Sequence, residues 1–143
     1  ASRRVDELSG GQRQRVWIAM VLAQETELLL LDEPTTFLDF AHQVELMELF
    51  AHLNRQGRTI VAVLHDLNHA ARYADHIIAM RDGRILASGT PRDVVTSELV
   101  EEIYGLPNVV IEDPITGAPL VVPRGMPHPR SAESAREGMG SPA

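Results

Sequence analysis

Asp32 and Glu33 are adjacent acids closing the apolar run ELLLLDEP. Successive side chains of an extended segment point in opposite directions, so the two carboxylates face different surroundings. One can hold a hard cation, and Mg²⁺ suits a lone carboxylate because waters complete its octahedron. The other can accept a proton from an attacking water or orient it. The same pair could instead cap the turn that Pro34 begins, since polar residues gather in surface loops. A second cluster is Ser9-Gly10-Gly11, ahead of a helical pattern. The first amides of a helix lack internal partners and carry the positive end of its dipole. With no β-carbon at Gly10 or Gly11, an anion can approach those amides closely. An ordinary N-cap accounts for Ser9, but two glycines in a first turn cost about 0.8–1 kcal/mol each relative to alanine. His65 ends another apolar run, where it could donate to a phosphate oxygen or serve as a core or capping residue.

The elements that must position these groups follow from periodicity. Ser9 and Gln12 have the Ser-x-x-Gln spacing of a capping box, and VWIAMVLA continues a helix to about Gln24. That helix is apolar nearly all round, which predicts deep burial. ELLLLDEP reads as a fully buried parallel strand stopped by Pro34. Asp39 caps a second helix, with Phe40, Val44, Met47 and Ala51 on its apolar face and Leu46, Leu49 and Leu53 widening it; Asn54 to Gly57 ends it. Thr59 to His65 is a second buried strand. If it runs parallel to the first, it brings His65 to the edge that carries Asp32 and Glu33, where open α/β sheets bind ligands. Asp66 can cap a short helix from Leu67 to Tyr73. IIAMRDGRILASG reads as a hairpin turning at Asp82-Gly83. Thr90-Pro91 starts a helix through Val94 and Val95, and another runs from Ser97 to Tyr104. NVVIEDPITGAPLVVP is a second hairpin with Pro114 to Gly117 in its loop. The expected class is α/β, with a parallel core covered by helices and an antiparallel C-terminal extension. The expected division is 1–104 for the core, 105–124 for the hairpin extension and 125–143 for a disordered tail of low apolar content.

Composition narrows the function. The chain has 143 residues, about one domain's worth, of which 44% are hydrophobic and 23% charged. A net charge of -7 argues against a broad grip on nucleic acid. There is no cysteine, which excludes disulfides and thiolate metal sites. The longest apolar run, Val16 to Ala23, is too short to span a bilayer. The opening ASRRVDELSGG has no apolar signal-peptide region. It also lacks an initiator methionine and reaches the first motif at once, so a cut edge is expected there. All 13 basic residues are Arg. Without lysine, the chain holds no GxxxxGK[ST] phosphate loop.

LSGGQRQRV, then LLLLDEPTTFLD, then VLHDL, in that order, resemble the ATP-binding subunit of an ABC transporter, from about Asp6 to Tyr104. LSGGQ resembles the family's signature motif, LLLLDEP its Walker B strand with the adjoining glutamate, and FLD its D-loop. His65 matches the switch histidine. The stretches DEPTTFLDFAHQVELMELFAHLN and VLHDLNHAARYADHIIAMRDGRI are similar to importers of the iron-siderophore, hemin and cobalamin group. EDPITGAPLVVPRG is similar to ferric-siderophore members.

The resemblance implies a P-loop NTPase-like core, present in part, on the cytoplasmic face of a membrane. It implies ATP and Mg²⁺ as ligands. Asp32 would hold Mg²⁺ through water in the family's manner; Glu33 would polarise the attacking water; His65 would contact the γ-phosphate. Asp39 would pass information across a dimer interface. Ser9, Gly10, Gly11 and Gln12 would bind the γ-phosphate of ATP held by the opposite subunit of a head-to-tail dimer. That trans half of the site needs no lysine, whereas the cis half, with its P-loop, is missing from this sequence, so the chain alone is expected to be inactive. The implied partners are a second ATP-binding subunit, transmembrane permease subunits and, indirectly, an extracytoplasmic substrate-binding protein; no nucleic acid is implied. Two other readings compete. One is a non-catalytic truncated module that pairs with a full ATPase, against which the intact Asp32, Glu33 and His65 count. The other is a DNA-repair-type ABC ATPase fragment, against which the continuous VLHDLNHAARYAD and the charge of -7 count.

Overall fold

Leu29 and Leu31 are buried, whereas Leu28 and Leu30 between them are 50% and 72% exposed. That alternation governs the first sheet. A computed structural model of the chain describes residues 10–125. Helix α1 (Gly10–Ala23) leads to strand β1 (Leu28–Asp32), helix α2 (Phe40–Arg55) and strand β2 (Thr59–Val63). The two strands are parallel and in register from Leu28 opposite Thr59 to Asp32 opposite Val63. The crossover through α2 is the βαβ connection that parallel strands require.

Only one face of this sheet is covered among the described residues. Leu46, Met47, Phe50 and Leu53 form one buried stripe of α2, at helical spacing. They pack with Leu31, and Leu53 meets Leu29 together with Val21 of α1. Both helices therefore lie over the Leu29–Leu31 side. The other side presents Leu28, Leu30, Val61 and Val63, each at least half exposed. The expectation of fully buried strands is thus corrected: four consecutive leucines are apolar on both faces, but the described helices cover one.

The expected burial of α1 is corrected for the same reason. Val21 is buried, while Trp17, Met20 and Leu22 are exposed. Val21 and the partly buried Ile18 pack into the cores over the sheet, and a two-stranded sheet offers a surface for little more than that stripe of the helix. Trp17 reaches only the edge of Phe50, with ring centroids 6.5 Å apart. Phe40 also departs from expectation. It opens α2 ahead of the buried stripe and is 77% exposed, and Phe50 takes the core position instead.

Beyond β2 come α3 (Leu67–Tyr73), the strands β3 (Ile77–Arg81) and β4 (Arg84–Gly89), α4 (Pro91–Val94), α5 (Ser97–Tyr104), β5 (Asn108–Glu112) and β6 (Pro119–Pro123). Strands β3 and β4 are antiparallel, as are β5 and β6. The β3–β4 turn places Asp82 and Gly83 at φ 50° and 73°, the left-handed pair that matches strand twist in a two-residue hairpin. Thr90 and Asp93 form a reciprocal capping box ahead of α4, with Pro91 in its first turn. Ala71, Ile77, Val94, Val95 and Val100 make a second core, against which Val110 and Val121 of the last hairpin pack. The molecule is α/β, as expected. Among the described residues no helix is long and apolar enough to cross a membrane. The cap assigned to Ser9 and the tail from 126 onward lie outside the described residues.

Candidate functional site at the carboxyl ends of the parallel strands

Parallel pairing sends β1 and β2 to the same edge, and both acids and the histidine emerge there. Asp32 is the last residue of β1, opposite Val63. The backbone N–H of Glu33 donates to Val63 O at 3.1 Å, carrying the ladder one residue further. Glu33 then turns the chain with φ 49°, a left-handed conformation that costs a non-glycine residue about 1–3 kcal/mol. Its carbonyl is held by the Thr36 N–H at 3.2 Å. His65 lies two residues past the end of β2 and points back at Glu33, with Nε2 2.6 Å from Glu33 Oε1. With Glu33 ionised, the imidazole N–H is the donor in that hydrogen bond.

Stability does not explain this pair. The two side chains are 74% and 43% exposed, and exposed ion pairs contribute about 0–1 kcal/mol. That is no more than the backbone strain at Glu33. A strained acid held against a histidine at a sheet edge points to function. Asp32 is exposed beside them and makes no ion pair or hydrogen bond through its side chain among the described residues. An accessible lone carboxylate of this kind fits Mg²⁺, which keeps most of its waters and takes its other ligands from phosphates. The described residues contain no group of three or more His, Cys, Asp or Glu that could hold a metal unaided.

The loop from Pro34 to Asp39 is fixed from α2. Gln43 Nε2 donates to Leu38 O at 3.0 Å. Asp39 caps α2, its Oδ1 accepting the His42 N–H at 2.9 Å and meeting the His42 Nδ1 at 2.7 Å. The His42 amide, with a further contribution from the His42 ring, holds the Asp39 carboxyl below its ordinary value. Phe37, at φ 65°, is 99% exposed on this loop. Gly10, Gly11 and Gln12 occupy a different element, the first turn of α1, where Gln12 is exposed. They take no part in the Glu33–His65 hydrogen bond, and Ser9 lies outside the described residues.

Sequence reasoning passed over two side chains. His42 sits three residues after the capping Asp39, the position where a helix-opening side chain reaches back to its cap; that spacing was available as a signal. Asn68 pairs with the backbone of β6, 53 residues away, at 3.2 and 2.8 Å. No local pattern carries that contact.

A strand ending in Asp-Glu, a histidine returned to the glutamate by a parallel neighbour, and a glycine-led helix form an arrangement similar to part of an ATP-binding cassette of the ABC type. The sequence agrees: residues 1–36 match the ABC transporter family. The chain is 61% identical over 135 residues to a ferric enterobactin transport ATP-binding protein of Escherichia coli (strain K12), covering 94% of this chain and 50% of that protein. Among solved structures it is similar to a metal-chelate type ABC transporter in an inward-facing conformation, with TM-score 0.73, 32% identity, and coverage of 86% of this chain and 50% of that one. It is also similar to a bacterial ABC transporter cassette solved as a dimer, with TM-score 0.56, 40% identity, and coverage of 63% and 39%. The chain spans about half the length of the curated relatives it matches.

Proposed function

We propose that this chain forms part of the ATP-hydrolysing subunit of an ABC importer for a ferric siderophore or related metal chelate. The observation that carries the reading is the Glu33–His65 hydrogen bond at the carboxyl edge of the parallel strands, with Asp32 alongside. Glu33 takes the proton of the water that attacks the γ-phosphate. His65 holds the Glu33 carboxylate in orientation, and its imidazole is exposed enough to reach a phosphate oxygen. Asp32 would hold Mg²⁺, and the cation, when bound, would supply charge neutralisation at the phosphate oxygens. Ser9, Gly10, Gly11 and Gln12 offer helix-terminal amides and side-chain donors to the γ-phosphate of ATP on an opposing subunit. Asp39, with its exposed neighbour Phe37, faces that same subunit. The dimeric arrangement of the similar bacterial cassette supports this reading.

The partners of the complete protein on this reading are a second ATP-binding subunit, the permease subunits at the cytoplasmic face of the membrane and, through them, a substrate-binding protein. Ferric siderophore is favoured by the 61% identity to a ferric enterobactin transport subunit. The test is uptake of radiolabelled ferric catecholate siderophore by cells in which the complete gene has been deleted and restored. Uptake that disappears on deletion and returns with the gene supports the reading. Unchanged uptake, with loss of a different ATP-driven import, would replace the substrate and keep the enzyme.

A further inference from the structure

His65 has no strand to hold it, because β2 ends at Val63 and Asp66 already caps α3 through the His69 N–H at 3.0 Å. His65 is thus held between two anchors: Leu64 before it packs in the first core, and Asp66 after it caps α3, so the placement of α3 bears on the imidazole. That helix is gripped from two sides. Towards the first core, Tyr73 OH donates to Glu48 Oε1 of α2 at 2.9 Å. Towards the C-terminal hairpin, Asn68 Nδ2 donates to Val121 O at 3.2 Å while its Oδ1 accepts the Val121 N–H at 2.8 Å. One side chain thus takes both backbone groups of a single β6 residue, as a neighbouring strand would. Next to it, Arg72 lies 3.6 Å from Asp113, at the start of the hairpin loop. Leu67, Ala70, Ala71 and Ala74 pack in the same core as Val110 and Val121. Apolar contact alone is non-directional and would let the helix slide; the Asn68 pair fixes its register.

We propose that the β5–β6 hairpin braces the hydrolytic edge from behind, and that Asn68 is a positioning residue which, by locking α3 to Val121, sets where the His65 imidazole meets Glu33. The inference rests on the roles proposed above for Glu33 and His65. A displacement of about 1 Å at a reacting group can cost about a hundredfold in rate, so a brace at this distance has leverage.

The test uses the complete subunit and two substitutions on the same hairpin contact surface. Asn68→Ala removes the tie to α3. Arg92→Ala removes the tie from α4, where Arg92 Nη2 donates to Glu112 Oε1 at 3.1 Å and to Gly117 O at 2.8 Å. Each is read by kcat and KM for ATP and by the imidazole NMR signals of His65. Asn68→Ala is expected to lower kcat about tenfold with KM unchanged and to shift the His65 signals, while Arg92→Ala changes neither. Wild-type kcat and unmoved His65 signals in folded Asn68→Ala would overturn the proposal. So would equal losses in both variants that track their folded fraction with His65 unmoved, since that is a structural tie only. If the wild-type subunit does not hydrolyse ATP, the functional reading fails by itself, and the His65 signals still decide whether Asn68 places the imidazole.

Discussion

His65 Nε2 stands 2.6 Å from Glu33 Oε1, although 32 residues separate them in the chain. The contact exists because β1 and β2 are parallel and in register, so that both residues leave the sheet at one edge. The Glu33 amide is tied to Val63 O and its φ of 49° swings the carboxylate out of the strand line. A conventional β conformation at Glu33 would keep the strand's alternation and send its carboxylate elsewhere.

The sequence given has no lysine and hence no phosphate loop of the GxxxxGK[ST] kind. This chain by itself is expected to show no saturable ATP binding and no hydrolysis. Titration calorimetry with Mg-ATP checks this; a micromolar dissociation constant would contradict it.

Leu28, Leu30, Val61 and Val63 form an apolar face of the first sheet with no cover among the described residues. Such a face drives association. The isolated chain is expected to sediment as oligomers, and Leu30→Asp to shift the distribution towards monomer. Sedimentation velocity on the two proteins checks it, and identical profiles would show that this face is not the cause.

Leu46 is 1% exposed within the α2 stripe. Leu46→Ala is expected to cost about 2–5 kcal/mol of unfolding free energy in the complete subunit, measured by denaturant titration, whereas Phe40→Ala should change it little because Phe40 is 77% exposed.

Much of this was legible in the sequence and some was not, for identifiable reasons. Caps at Asp39, Asp66, Thr90 and Thr96 act locally, and the first three stand out as Asp-x-x, Asp-x-x and Thr-Pro patterns where the helices begin. The Asp82-Gly83 turn is likewise local. The strand order Asp32-Glu33 then His65 could be placed at one edge once a parallel pairing was assumed. Which face of Leu28 to Leu31 is covered could not be read, because all four residues are leucine and the answer depends on which helices pack there. Asn68 was invisible for a different reason: its partner is the backbone of Val121, which any sequence would supply.

A pH dependence is expected of the loop that Asp113 holds. The Ile115 amide, with Thr116 and the Arg72 guanidinium, holds its carboxyl below the ordinary value, against the opposing effect of burial. A depressed folded-state value means the stabilisation is complete above the unfolded value of about 3.9 and is lost as pH falls through the folded one. Hydrogen-exchange protection at Ile115 is therefore expected to be constant from about pH 5 to 7 and to fall only below about pH 3.9. Loss of protection near neutrality would contradict this account of the loop.

The most direct measurement is of Glu33→Gln in the complete subunit, purified with the permease subunits proposed above. The amide keeps the size of the side chain but cannot take a proton from water. ATP is expected to remain bound while steady-state hydrolysis is lost, so that nucleotide extracted from the purified complex is ATP and not ADP. Hydrolysis at the wild-type rate would show that Glu33 is not the base and that its 2.6 Å contact with His65 serves some other purpose.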